Sequence, residues 1–279
     1  MSPSRRVLLR EWAALTLLLG VFLLAADRGN WLERADLWVY DFVVSRPALA
    51  PAADPVIIAI DEQSLTTLGR WPWSRRVVAR AVDRLREAGS GPLLLDIILA
   101  EPQRDDPGAD DILAAALARH GRVVLPVFMP AGADSEPVQP LPAFVAVAAL
   151  GHAQALLDRD GVARRLMPLE SSAGGSFRHV AWSLAHLSAT VDTTPIRVRF
   201  RGPKGSFPTY SMANLLAGKI PPDALRDRII LVGATANGLG DALVTPLAGR
   251  DGTLPSNEPG MPLGITRGFT PTRHMMCFM

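Results

Sequence analysis

Residues 12–26, WAALTLLLGVFLLAA, run for 15 positions without a charge. Counted from Val7, the stretch reaches 20 residues if Arg10 lifts its guanidinium toward water. A membrane-crossing helix needs roughly 20 residues, within a range of about 17–25. Arg5, Arg6 and Arg10 precede the run, whereas Asp27, Arg28, Glu33, Arg34 and Asp36 behind it nearly cancel. That asymmetry leaves the N-terminus in the cytoplasm and carries the remainder across the membrane. A cleaved export signal has the same basic start and apolar middle, but residues 24–26, Leu-Ala-Ala, lack a clean small-x-small pattern. A buried core helix is the third reading. The sequence favours the anchor over the export signal, and both over the core helix. The next best apolar runs, residues 144–150 and 229–232, are far too short to span.

The rest of the chain must pack a core of its own. Of 279 residues, 48% are hydrophobic and 20% charged, which excludes global disorder. The formal charge of +2, with no basic patch interleaved with aromatics, gives no reason to expect a nucleic-acid partner. Cys277 is the single cysteine, so no intrachain disulfide staples the fold. Residues 32–45 have a partly apolar helical face, ended by the Pro/Ala-rich stretch 47–55. Strand and helix patterns then alternate: strands at 56–60, 93–98 and 123–127, and helices at 74–88 and 109–119, stopped by Gly89 and Gly121. A βαβαβ order predicts parallel pairing with helices on the sheet faces. The later part is less regular. Residues 151–157 and 162–169 flank the turn Arg159-Asp160-Gly161 and suit a hairpin. Residues 177–187 and 211–217 suit helices, and 196–200 and 228–232 strands. The predicted class is α/β, with a mixed, mainly parallel sheet, helices on both faces and one preceding transmembrane helix. The predicted organisation is an N-terminus and membrane helix over 1–28, a connecting helix and linker over 29–55, one extracytoplasmic domain over 56–262 and an irregular tail over 263–279.

Several residues invite chemistry, each with a plainer alternative. Asp61 and Asp96 directly follow hydrophobic strands, where the carboxyl ends of a parallel sheet form a ligand crevice. Alternatively, one caps a helix and the other pairs with an Arg. In GRWPWSR (69–75), Trp71 and Trp73 flank a proline that restricts both neighbours, and Arg70, Arg75 and Arg76 stand close by. The segment is either an aromatic and cationic ligand platform or a rigid turn capped by Ser74. The acidic run 101–111, EPQRDDPGADD, lacks calcium-loop spacing and reads as solvated. Gly233 opens a glycine-rich turn, 231–241, ending at Asp241; it has neither a P-loop lysine nor the dinucleotide glycine spacing. His120, His152, His179, His186 and His274 are scattered. No catalytic residue, metal site or cofactor is expected.

Taken in order, these segments resemble the second class of CHASE domains, extracellular sensory domains of bacterial histidine kinases and of adenylate and diguanylate cyclases. The resemblance covers about residues 32–262. It rests on LERADLWVYD (32–41), DPVIIAIDEQSL (54–65), GRWPWSR, LLLDIILAEP (93–102) and Asp110-Asp111. It continues through DRDGVARRLMPL (158–169), RGPKGSFPTYS (201–211), RIILVGATANGLGD (228–241) and TPL (245–247). It implies a sensor outside the cytoplasm, held at the bacterial inner membrane, reading a small-molecule or stress signal, with no catalytic residues of its own. Asp61, Trp71, Trp73, Arg75, Asp96, Gly233 and Asp241 are the ligand-binding candidates. In the family, a segment like Pro259-Gly260-Met261-Pro262 leads toward further membrane helices and an output domain; here LGITRGFTPTRHMMCFM comes next. The expectation is a sensor without its kinase or cyclase, acting as a homodimer or paired with an intact homologue. The competing expectation is a metal- or phosphate-dependent hydrolase built on Asp61, Asp96 and the glycine-rich turn.

Overall fold

A computed structural model describes residues 3–29, 31–44, 55–130, 135–185, 193–198, 200, 206–236, 239, 244–247, 265–266 and 277–278. The chain forms two compact units, Met1–Arg46 and Pro47–Met279. In the first, helix α1 (Pro3–Arg28) is followed by α2 (Trp31–Val44). Gly29 N–H closes the last turn on Ala25 O at 2.9 Å, and the rings of Phe22 and Trp31 meet edge-on at 6.4 Å. Residues Val7–Arg28 of α1 are long and apolar enough to cross a membrane. The large apolar side chains from Val7 to Leu24 are 48–71% exposed, so α1 has no single core-facing stripe.

The second unit is α/β. After β1 (Val56–Ile60) come α3 (Glu62–Leu68), α4 (Arg75–Glu87), β2 (Leu93–Leu95), α5 (Ala109–His120) and β3 (Val123–Val127). Then come α6 (Pro142–Val145), β4 (Ala149–His152), β5 (Ala155–Leu157), β6 (Ala163–Leu166), β7 (Leu169–Ser172) and β8 (Gly175–Arg178). Later elements of this unit include α7 (Val180–Leu184), β9 (Ile196–Arg197), β10 (Thr209–Ser211), α8 (Met212–Leu216) and β11 (Ile230–Ala234). Six strands form a parallel sheet in the order β10-β1-β11-β2-β3-β4. The antiparallel sets β5-β6-β9 and β7-β8 make the whole mixed but mainly parallel.

The apolar runs are strands because both sheet faces are covered, which removes any need for alternation. Ile58, Ile60, Leu93, Leu95, Val123, Leu125, Ile230 and Val232 share one core with α4, α5, α6 and α8. The intervening Ala59, Leu94, Val124 and Leu231 are buried on the other face, where α7 packs over β2, β3 and β4. Helices therefore cover both faces, as the pattern predicts. Beyond β4 the chain closes up further: His152 bridges His179, and a Cβ on Gly151 would stand 2.8 Å from Arg178 O and Val180 Cα. Only a glycine admits that approach.

The structure also departs from the expected elements. The strand begun at Leu93 stops at Leu95, because Ile97 N–H turns back to Leu95 O at 2.9 Å. The predicted helix over 177–187 starts as β8 and is helical only from Val180. Of the expected 151–169 hairpin, only β5 and β6 pair with each other; residues 149–152 instead join the main sheet.

Candidate functional site

Strand order reverses at β1. The chain leaves it toward β2, β3 and β4, returns on its other side as β10, and then inserts β11 between β1 and β2. In open parallel sheets such a point, at the carboxyl ends of the strands, is where ligands bind. Asp61 and Asp96 both lie at this edge.

Asp61 is the N-cap of α3. Its Oδ1 accepts from Ser64 N–H at 2.8 Å, Ser64 Oγ at 2.6 Å and Ser211 Oγ at 2.8 Å. Ser211 in turn caps α8, and Ala213 N–H donates to Ser64 Oγ at 3.2 Å and Ser211 Oγ at 3.3 Å. One carboxylate and two buried hydroxyls thus satisfy the starts of two helices. The plainer reading of Asp61 is the one the geometry shows.

Asp96 is different. Its N–H completes the ladder to Val232 O at 2.8 Å, and the register sets it beside Gly233, which offers no side chain. Among the described residues, burial is what acts on its carboxylate. Burial pushes the Asp96 carboxyl up to about 6. A desolvated carboxylate at a strand end is a candidate ligand-binding group. Past Gly233, Thr235 N–H and Ala236 N–H both donate to Ile60 O at 3.0 Å. Those amides are not open to a phosphate. Asp241 lies outside the described residues.

Trp71 and Trp73, with a cis peptide bond between Trp71 and Pro72, pack edge-to-face at 5.1 Å. Trp73 is in the main core and Trp71 lies against it, while Trp73 Nε1–H donates to Gly69 O at 2.8 Å. Ser74 caps α4 and donates to Asp106 Oδ2 at 2.8 Å. Arg76 Nε binds the same carboxylate at 2.9 Å, and Ser74 and Arg76 together hold the Asp106 carboxyl below the usual range. Arg75 Nε lies 3.4 Å from Asp110 Oδ1, and Arg75 N–H donates to Gln103 Oε1 at 2.6 Å. The acidic run is therefore the partner of the Trp-Pro-Trp segment. Together they form a stitched wall at the sheet edge, in which Arg75 is already engaged.

The sequence did not flag two buried polar groupings. Arg164, 2% exposed, donates to Asp158 Oδ2 at 3.0 Å and Asp160 Oδ2 at 2.8 Å, and Arg165 donates to Asp158 Oδ1 at 2.6 Å. The alternating acids and arginines around the 159–161 turn were the available signal. His152 and His179 are both buried, with rings 5.2 Å apart, and His179 also meets Trp182 at 6.2 Å. Burial pushes His152 down to about 4 and His179 down to about 3, so both are neutral bases. No sequence signal joins them, because they meet only through the β4 edge. Among the described residues, no three His, Cys, Asp or Glu side chains gather to hold a metal ion.

A family model described as the CHASE2 domain matches residues 13–264, most of the chain. No curated protein and no solved structure matches it.

Proposed function

The chain belongs to the CHASE2 domain family of sensory domains, and from that premise we propose that it is the signal-input part of a bacterial signal-transduction protein. In this reading α1 anchors it in the plasma membrane and residues 56–262 stand outside the cytoplasm. The family match across nearly the whole chain carries the proposal. The 22 residues Val7–Arg28 supply a span about 33 Å long, against a hydrocarbon core of about 30 Å. Moving the exposed side chains of α1 from water to lipid gains on the order of 10–20 kcal/mol. Arg10 on the N-terminal side sets the orientation.

The signal binds at the carboxyl edge of the sheet. Asp96 is its anchor, and the Trp-Pro-Trp segment with its acidic partner is the wall. A ligand bearing an ammonium, guanidinium or other strong donor suits a desolvated carboxylate. Pairing with a second copy or a homologous chain passes the bound state on. The hydrolase reading loses its first carboxylate, since Asp61 is occupied by helix caps.

Placement is tested by introducing Glu136→Cys into a Cys277→Ser background and adding a membrane-impermeant maleimide to intact cells. Glu136 is exposed, so reaction before lysis is expected, while Ser4→Cys in the same background reacts only after lysis. The opposite pattern overturns the placement. Loss of residues 1–26 from the mature protein, read by mass spectrometry, overturns the anchor.

A further inference from the structure

Helix α2 begins three residues after α1 ends. Its exposed large side chains are Trp31, Trp38, Val39, Phe42 and Val43, at 58%, 67%, 51%, 47% and 61% exposure. At 100° per residue these five fall within an arc of about 140°. Glu33, Asp36, Tyr40 and Asp41 lie in the remainder, together with the sequence positions of Arg34, Leu37 and Val44, so it is acidic on balance. Trp38 and Phe42 stack with ring centroids 5.6 Å apart and planes 11° off parallel, which joins these two rings into one aromatic patch within the arc.

We propose that this arc lies on the outer face of the membrane, with α2 resting in the lipid headgroup layer. The proposal rests on the anchor reading of α1. Once α1 spans, Trp31 sits within a turn of the lipid edge, so α2 is tethered beside the surface that its arc fits. A tether raises the local concentration, so even weak interfacial affinity suffices. Tryptophan prefers this layer, where its ring is apolar and its N–H stays wet. The acidic remainder gives no attraction to anionic lipid, so apolar burial holds the helix down and zwitterionic lipid suffices. The consequence for sensing is that α2 has a resting place, from which a change in the sensor unit can lift or rotate it.

The test uses the full chain with Cys277→Ser in phosphatidylcholine vesicles, with a nitroxide placed in turn at Leu18→Cys, Glu33→Cys, Trp38→Cys and Val39→Cys. Collision with oxygen, concentrated in lipid, is compared with collision with a water-soluble nickel chelate. The expected result is an oxygen-to-nickel ratio severalfold higher at 38 and 39 than at 33, with the highest ratio at 18. A high ratio at 18 but water-like ratios at 38 and 39 overturns this proposal and leaves the anchor standing. A water-like ratio at 18 overturns the anchor and this proposal with it. Shielding of 38 and 39 from both reagents means that protein covers the arc, either a second copy or the rest of the chain, and also overturns it.

Discussion

Asp96 shows what a desolvated carboxylate costs a fold. Its carboxyl sits near 6 instead of 3.8, so the folded state holds this proton at a pH where the unfolded chain has released it. Its contribution to stability is therefore greatest below about pH 4 and is lost as pH rises through about 6. At pH 7 the penalty is about 3 kcal/mol by linkage, reduced by whatever solvent reaches the site. Asp96→Asn keeps the shape and removes the charge, so we expect it to stabilise the full chain in detergent by about 1–2 kcal/mol at pH 7 and by little at pH 4. Denaturant melts across that range read the effect. The comparison must be between variant and parent, because His152 and His179, lowered by burial, titrate in the same window with the opposite sign. Destabilisation at pH 7 would mean that Asp96 has a structural partner after all. The sequence marked Asp61 and Asp96 alike, since each follows a buried strand. What separates them is Ser211, which sits 150 positions from Asp61 along the chain and reaches it only through the pairing of β10 with β1.

At the scale of elements, the seam between β4 and the segment entering α7 decides how the later part of the chain docks. Gly151 admits Arg178 and Val180 at a distance no side chain permits, and the neighbouring His152 bridges His179. Gly151→Ala places a methyl 2.8 Å from backbone, which cannot rotate away as a side-chain tip can. We expect a loss of about 2–4 kcal/mol, in the range of overpacked cores, and quicker hydrogen exchange at α7 than at β1. Unchanged stability would show that the seam opens freely. The same seam explains which elements could be read in advance. β1, β3, β11, α4 and α5 carry their signals locally, as β-branched runs or amphipathic repeats closed by glycine. β4, with the sequence ALGH, and β10, with TYS, have no such signal. Each is a strand only because a neighbouring strand offers its edge. α3, with 7 residues, depends on the cap that Asp61 shares with Ser211.

At the scale of the whole molecule, two forces act on separate parts of the chain. Among the described residues, the core of the second unit is built from β1 onward. α1 in turn presents apolar side chains all round. If α1 is the proposed anchor, the second unit should fold in water without it. A chain starting at Asp54 tests this directly. We expect it to stay in the aqueous phase, to show the α/β circular dichroism of the parent and to unfold cooperatively within a few degrees of the full chain in detergent. The full chain should sediment with vesicles that the fragment ignores. If the fragment aggregates or melts without cooperativity, α1 and α2 supply packing to the sensor unit. α1 would then be a core helix, the reading that the charge-free run at the N-terminus leaves open.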